Sequence, residues 1–168
     1  MRPRGACVAI VLFGALLAWK AWVPQVGQPA PEFELKTLAG GQASLSALRG
    51  QPILVNFWAS WCGPCRDEMP EIILTYRKAH ESGLEVVAFN LTDQERKNDI
   101  RRFVDELRLP FPVALDDRGK VRRRYGLIGV PSTVFVDSSG VVRAVHSGPM
   151  TRQSLDQDLA TIILEPGG

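Results

Sequence analysis

The sequence contains few residues of the kinds that bind metal ions. It has three cysteines and two histidines in 168 residues. Cys62 and Cys65 could supply half of a zinc site, but the third cysteine, Cys7, lies among apolar residues, and no second pair completes a set of four ligands. His80 and His146 have no evident partner in the sequence. We therefore expect neither a metal site nor a bound cofactor.

The chain also lacks a strong excess of charge. Its formal net charge is +2, but three of its 20 basic residues precede Pro24, whereas all 18 acidic residues follow it. The 17 basic and 18 acidic residues after Pro24 give that part of the chain a net charge of −1. A near-neutral domain offers no general electrostatic attraction to nucleic acid, so we expect no nucleic-acid binding.

The first 23 residues contain no acidic side chain and carry a long apolar run. Arg2 and Arg4 precede the run, and Lys20 interrupts it. Residues 6–23 as one helix would span roughly 27 Å, close to the thickness of a bilayer core. Basic residues before such a helix stay on the cytoplasmic side, so the rest of the chain would be exported.

A cleaved signal sequence has the same basic start and apolar stretch. Residues 18–26 lack the small-x-small pattern of a cleavage site, because bulky Trp19, Trp22 and Val23 intrude. We therefore favour an uncleaved anchor in the cell membrane over a cleaved signal. The predicted organisation is an N-terminal membrane anchor, a linker and one extracytoplasmic domain, at residues 1–23, 24–30 and 31–168 respectively.

The rest of the chain is organised around residues 53–66. Residues 53–59 form an apolar run broken only by Asn56, which predicts a buried strand. Cys62-Gly63-Pro64-Cys65 follows after two residues. Beyond the second cysteine, apolar residues recur at the spacing of one helix face, at Met69, Ile72, Ile73 and Tyr76. The predicted local order is strand, dithiol, helix.

A cysteine at the start of a helix is more reactive than an ordinary one. The unpaired N–H groups and the positive end of the helix dipole lower the pKa of its thiol, and the thiolate is the reactive form. Cys62 would lie at this end and Cys65 one turn further in, so we expect Cys62 to attack and Cys65 to resolve. The offset of three residues also allows a Cys62–Cys65 disulfide. Pro64 suits a first turn, where its N–H is not needed.

The motif that carries these cysteines, Asn56-Phe57-Trp58-Ala59-Ser60-Trp61-Cys62-Gly63-Pro64-Cys65, resembles the active site of thioredoxin-like proteins. Specifically, it resembles the membrane-tethered thiol-disulfide oxidoreductases of the TlpA, ResA and DsbE (CcmG) group. The similarity extends from about Ala30 to Leu164. It implies a thioredoxin-like α/β fold, with a mixed central β-sheet flanked by helices, an N-terminal extension, and a strand–helix insertion after the CxxC helix.

Patterns elsewhere in the chain are compatible with that fold. Residues 27–48 predict a short linker followed by a small hairpin or a pair of edge strands, and residues 85–91 predict a second buried strand. Residues 92–95, Thr-Asp-Gln-Glu, match a capping box in which Thr92 caps the next helix and Glu95 reaches back. Strands at 133–136 and 141–145 would pair as a hairpin, followed by a terminal helix capped by Thr151.

A second constellation, Gly129-Val130-Pro131-Ser132, follows the cysteines by about seventy residues. In thioredoxin-like folds the matching proline is cis and packs beside the disulfide, so the resemblance implies a cis Pro131. The sequence alone allows a simple loop proline equally well. With a cis Pro131, the backbone of Val130 would be free to pair with an extended substrate next to Cys62. The other residues expected to bind substrate are Trp61, Gly63 and Pro64.

The group that assists proton transfer is harder to identify. Cytosolic thioredoxin has an aspartate in the strand before its cysteines, but this position is Asn56 here, which cannot take a proton near neutral pH. In the ResA-type pattern, a glutamate just past the inserted strand supplies the carboxylate, and the matching residue is Asp93. Our hypothesis is that Asp93 modulates deprotonation of Cys65. The alternative is that Asp93 only favours its helix start. We expect Glu68, three residues after Cys65, to serve helix structure.

The Gly-Pro pair between the cysteines is found in reducing thioredoxins. We therefore expect an extracytoplasmic thiol-disulfide oxidoreductase that reduces protein disulfides, with the Cys-x-x-Cys-His segment of apocytochrome c as the leading substrate. The resemblance implies a membrane thiol transporter of the DsbD/CcdA kind as the electron donor. One alternative is a thiol peroxidase, although Pro52 lies ten residues before Cys62 rather than seven as that motif requires. The other is a non-catalytic module that holds an apoprotein or haem.

Overall fold

The computed structural model describes residues 26–163. The anchor expected at residues 1–23 and the first two residues of the linker lie outside the described residues, as do residues 164–168. Within residues 26–163, no helix has the length and apolar character needed to cross a membrane.

Strands and helices alternate along most of the described chain. The strands are β1 (Glu34–Lys36), β2 (Gln42–Ser44), β3 (Ile53–Trp58), β4 (Glu85–Asn90), β5 (Val113–Leu115), β6 (Ser132–Val136) and β7 (Val142–Ser147). The helices are α1 (Gly63–Ala79), α2 (Lys97–Leu107), α3 (Lys120–Arg124) and α4 (Arg152–Ile163). The strand and helix predicted as an insertion after the CxxC helix are β4 and α2.

Five strands form a central mixed sheet in the order β5-β4-β3-β6-β7, while β1 and β2 form a separate hairpin. β4 runs parallel to both β3 and β5, whereas β6 runs antiparallel to both β3 and β7. The apolar run at residues 53–58 becomes the middle strand, and all six of its residues are buried. The predicted thioredoxin-like mixed sheet is confirmed.

Side chains of β3 alternate between two cores, one on each face of the sheet. Leu54 and Trp58 pack on the face covered by α1, α2 and α4. Val55 and Phe57 pack on the opposite face with α3 and the β1–β2 hairpin. Because Asn56 lies between Val55 and Phe57 in this alternation, its side chain is directed toward α1, beneath the dithiol.

The N-terminal extension contacts both edges of the central sheet. At one edge, the Gly27 N–H donates to the Val142 carbonyl of β7 at 2.7 Å. At the other edge, the Leu38 N–H donates to the Val113 carbonyl of β5 at 2.9 Å. The extension is therefore more than the predicted small hairpin, because it spans the sheet from one outer strand to the other.

The predicted capping box at residues 92–95 is wrong. Thr92–Gln94 form a single 3₁₀ turn, and α2 begins only at Lys97, with Arg96 in the cap position. The Thr92 hydroxyl donates to the Asn90 carbonyl at 3.3 Å, and the Glu95 carboxylate accepts the Ser60 N–H in the loop before Cys62 instead of the N–H of Thr92. The Glu95 carboxylate thus accepts N–H groups of Ser60 and Asn90 in place of the N–H of Thr92 that a capping box would supply. The Thr151 cap is confirmed, since its Oγ1 accepts the Ser154 N–H at 3.2 Å.

Candidate active site

Cys62 lies where the central strand gives way to α1. It occupies the cap position of α1, and its Sγ accepts the backbone N–H of Cys65 at 3.2 Å. Pro64 lies in the first turn, where a missing N–H leaves no helical bond unmade. The sulfur of Cys62 is therefore positioned where a helix N-terminus stabilises a negative charge.

The two cysteines form a disulfide with an S–S distance of 2.06 Å and a Cα–Cα distance of 5.3 Å. Cys65 has no exposed surface, whereas Cys62 is 5% exposed. The residues around Cys62 are open to solvent: Gly63 and Pro64 are exposed, and Trp61 is 58% exposed. An incoming sulfur can therefore reach Cys62 more readily than Cys65.

The loop before β6 lies at the same end of the sheet as the dithiol. Ser132 of β6 pairs with Phe57 of β3, so the preceding Pro131 lies beside the end of the strand that leads to Cys62. The Val130–Pro131 peptide bond is cis, the geometry that the resemblance implies, and Pro131 is buried. Two residues before Val130, Ile128 is fully exposed, which is unusual for an isoleucine.

Glu68 is a buried carboxyl beneath the dithiol. Its Oε1 accepts the side-chain amide of Asn56 at 2.9 Å, and its Oε2 accepts the backbone N–H of Met150 at 2.8 Å. The Asn56 amide also donates to the Thr133 hydroxyl at 3.0 Å. Burial raises the pKa of Glu68 above its usual value, although the bonds from Met150 and Asn56 and the charge of His146 oppose the shift.

Glu68 was predicted only to serve helix structure, but its burial and its position on α1 also suit it to a chemical role. Residues three apart on a helix are neighbours, so Glu68 lies on the same face of α1 as Cys65. The signal was present in the spacing, because Glu68 precedes Ile72 by four residues and shares the face that carries the apolar residues. A carboxyl at such a position is buried when the helix packs on the sheet.

Asp93 lies in a different environment. It is exposed, and its carboxylate lies next to Gly119. A methyl group added at the α-carbon of this glycine would be 3.3 Å from Asp93 Oδ2. Gly119 is the cap residue of α3. The structure thus places the Asp93 carboxylate beside α3, whereas Cys65 lies in the first turn of α1 with its side chain buried in the core.

The chain is similar to known redox proteins over most of its length. The profile of the AhpC/TSA family matches residues 26–145. The thioredoxin-like protein YneN of Bacillus subtilis is 40% identical over 136 residues, which cover 80% of this chain and 79% of that protein. The thiol-disulfide oxidoreductase ResA of Geobacillus thermodenitrificans is 34% identical over 137 residues, covering 82% of this chain and 78% of that protein.

The fold is also similar to that of a solved redox protein. A Chlorobium tepidum protein assigned to the thiol:disulfide interchange proteins DsbE superposes with a TM-score of 0.76 at 34% sequence identity. The superposition covers 83% of this chain and 99% of that protein.

Proposed function

Because the chain belongs to the AhpC/TSA family and is a thioredoxin-like thiol-disulfide oxidoreductase of the ResA and DsbE type, we propose that it reduces the disulfides of exported proteins. The observation that carries this proposal is the arrangement of the cysteines. Cys62 caps α1 and is partly accessible, and Cys65 is buried one turn behind it. The Gly63-Pro64 pair between them is typical of reductants.

The reaction takes two exchange steps. The Cys62 thiolate attacks one sulfur of the substrate disulfide; a Cys62–substrate bond forms, the substrate S–S bond breaks, and the released substrate thiolate takes a proton. The Cys65 thiolate then attacks Cys62 and forms the Cys62–Cys65 disulfide as the second substrate thiol leaves. Two electrons pass to the substrate. A dithiol donor returns the pair to its reduced form by the reverse sequence.

The second step needs a base, because Cys65 is buried and must lose a proton before it can attack. Glu68 is suited to this role, since it lies one turn from Cys65 on α1, out of water. Burial raises its pKa toward the range in which a carboxylate can accept a proton from a thiol. We assign Glu68 as the proton acceptor for Cys65.

The surface around Cys62 suits an extended, uncharged segment of a protein. The backbone of Val130 would pair with the substrate as an added strand. Four exposed residues here carry no charge, namely Trp61, Gly63, Pro64 and Ile128, whereas charged side chains such as Arg66 and Arg96 line the groove beside Trp61. A segment with apolar residues next to its cysteine would bury them against Trp61 and Ile128.

The substrate, the donor and the location are inferred from the resemblance and the sequence. The Cys-x-x-Cys-His segment of apocytochrome c is the leading substrate, because both of its thiols must be reduced before haem attachment. A membrane thiol transporter of the DsbD/CcdA kind is the electron donor. Residues 1–23 would anchor the chain so that the domain faces the extracytoplasmic side.

Trapping of the mixed disulfide tests the function. The full-length Cys65→Ser variant, reduced and mixed with an oxidised Cys-x-x-Cys-His peptide, should form a covalent adduct at Cys62 that dithiothreitol releases. The matched control is Cys62→Ser, which should form no adduct. The wild-type reduction potential should be at or below about −250 mV, among the reductants.

Other outcomes would contradict the proposal. A potential above about −150 mV would make the protein a disulfide donor. Rapid turnover of hydrogen peroxide without a disulfide substrate would indicate a thiol peroxidase. Undiminished function of a Cys62→Ser/Cys65→Ser variant in cytochrome c maturation would indicate a holding module.

A further inference from the structure

The carboxylate of Glu95 holds the loop that leads into the dithiol. Its Oε1 and Oε2 accept the backbone N–H of Ser60 at 3.0 and 3.1 Å. Oε1 also accepts the side-chain amide of Asn90 at 2.7 Å. Ser60 lies only two residues before Cys62, so Glu95 connects the inserted segment directly to the turn that carries the attacking sulfur.

The two parts of the chain that Glu95 connects, Asn90 and the turn at residues 59–62, are each fixed by a backbone hydrogen bond. Asn90 ends β4 and is completely buried, and its carbonyl accepts the Asp116 N–H at 3.1 Å, which joins it to the end of β5. On the other side, the Cys62 N–H donates to the Ala59 carbonyl at 3.2 Å and closes the turn at residues 59–62. Glu95 therefore ties this turn to the ends of the neighbouring parallel strands.

Glu95 also brings a negative charge to the turn. All three of its hydrogen bonds come from N–H donors, the pattern of an ionised carboxylate, which can only accept. In the part of the chain that the structure describes, Glu95 takes part in no ion pair. The cations of the adjoining groove pair with other carboxylates: Arg66 with Glu106, and Arg96 and Arg102 with Asp99.

We propose that Glu95 is a positioning residue that fixes the turn before Cys62 and, through its charge, keeps the reduction potential of the dithiol low. A nearby negative charge disfavours the Cys62 thiolate and so opposes the effect of the helix N-terminus. Stabilisation of the reduced form makes a disulfide strongly oxidising, and destabilisation of the thiolate therefore makes the pair more reducing. The inference rests on the reductase function proposed above and gives it a structural cause.

Two substitutions in the full-length protein separate the effect of the Glu95 charge from the effect of where its carboxyl group lies. Glu95→Gln removes the charge but keeps the length, whereas Glu95→Asp keeps the charge with a shorter reach. The matched control is Asp105→Asn, which removes one negative charge from an exposed position on α2. For each variant, we would measure the pKa of the Cys62 thiol from thiolate absorbance, the equilibrium with glutathione, and the thermal midpoint. Glu68, the ionisable group on the buried side, is unchanged throughout.

We expect Glu95→Gln to lower the Cys62 pKa and to raise the equilibrium constant for reduction by glutathione two- to tenfold; tenfold corresponds to about 30 mV. Glu95→Asp should lie closer to the wild type than Glu95→Gln in both quantities. The inference is overturned if Glu95→Gln matches Asp105→Asn, or if Gln and Asp shift the equilibrium equally, because the charge would then not be the cause. A wild-type potential in the oxidant range would instead overturn the reductase function while leaving the difference between variants intact.

Discussion

The buried carboxyl of Glu68 should make the stability of the protein depend on pH. Its pKa is raised in the folded state, so its contribution to stability is fully present below its usual value of 4.5 and is lost as pH rises through the folded pKa. Glu68→Gln stays neutral at every pH. The free energy of unfolding of the wild type, relative to this variant, should therefore fall as pH rises, by about 1.4 kcal/mol for each pKa unit by which the carboxyl is raised.

Urea unfolding of the oxidised protein between pH 4 and pH 8 measures this dependence. Glu81→Gln, at an exposed position, is the control and should run parallel to the wild type. Parallel profiles for Glu68→Gln as well would show that folding does not raise the pKa of Glu68. In the reduced protein, the same variant should slow the attack of Cys65 on the mixed disulfide because the proton acceptor is lost, and Asp93→Asn provides the comparison that tests the sequence-based hypothesis directly.

Single residues differ in how far the sequence reveals their roles. The cysteines and Pro64 act through a local helix start, which short-range spacing can indicate. The roles proposed for Glu68 and Glu95 depend on hydrogen bonds to residues distant in the chain, such as Met150 and Ser60. The positions of such partners depend on how β3, β4 and α1 pack, and no local pattern contains that information.

At the scale of elements, the turn between β6 and β7 depends on one carboxylate. Asp137 is buried, and it accepts the Ser139 N–H and the Val141 N–H at 2.9 Å each and forms an ion pair with Arg143. Burial alone would raise the pKa of Asp137, but the bonds from Ser139, Val141 and Arg143 outweigh it and lower the pKa. The contribution of Asp137 to stability is therefore present above its usual value of 3.8 and is lost as pH falls through the folded pKa.

We expect Asp137→Ala to reduce the free energy of unfolding by about 2–3 kcal/mol at pH 7, because buried donors lose their acceptor. The loss should shrink near pH 3. Denaturant unfolding at the two pH values measures both effects, with Asp117→Ala at an exposed position as the control. A loss no larger than that of the control, or one that is independent of pH, would contradict the account of this turn.

The loop before β6 should determine how well protein substrates bind. The Ile128 side chain is fully exposed, so it contributes no packing to the folded domain. Ile128→Lys should leave the thermal midpoint unchanged and raise KM for a protein disulfide about three- to tenfold, the range expected when an apolar contact is lost. The rate with a small disulfide such as oxidised glutathione should not change.

Leu74→Lys is the matched control for this loop. Leu74 is also exposed, but it lies about 16 Å along α1 from Gly63. An equal rise in KM for the two variants would indicate a general effect of added charge. An unchanged KM for Ile128→Lys would remove Ile128 from the proposed substrate surface.

Elements were predictable where the apolar pattern was strong. β3, α1 and β4 follow from buried runs and from helical spacing. The start of α2 was misplaced because the sequence at residues 92–95 fits a capping box, while Glu95 has better donors in the loop before Cys62. Local patterns therefore locate elements, but tertiary hydrogen bonds decide where some of them begin.

At the scale of the whole molecule, the N-terminal segment should decide where the protein resides. Full-length chain expressed in bacteria should remain in the membrane fraction after carbonate extraction, and a chain that lacks residues 1–23 should not. Leu12→Arg is the matched control, because a charge in the middle of the apolar run costs about 2.5–3.5 kcal/mol on insertion. Recovery of a shortened full-length product in the soluble fraction would indicate a cleaved signal sequence.

The resemblance made the mixed sheet predictable, but it did not place the extension. The path of residues 26–45 depends on where both outer strands end, and those positions follow from the assembled sheet.

That path has a consequence for how copies of the protein behave beside one another. An unpaired outer strand offers a row of N–H and C=O groups to any neighbouring chain, and proteins that leave it free tend to aggregate. Here the Gly27 N–H pairs with a carbonyl of the outer strand β7, and the Leu38 N–H pairs with a carbonyl of the outer strand β5. Neighbouring copies of the protein would then find few free strands with which to pair, and an extended substrate of the proposed reductase would pair instead at the Val130 loop, next to Cys62.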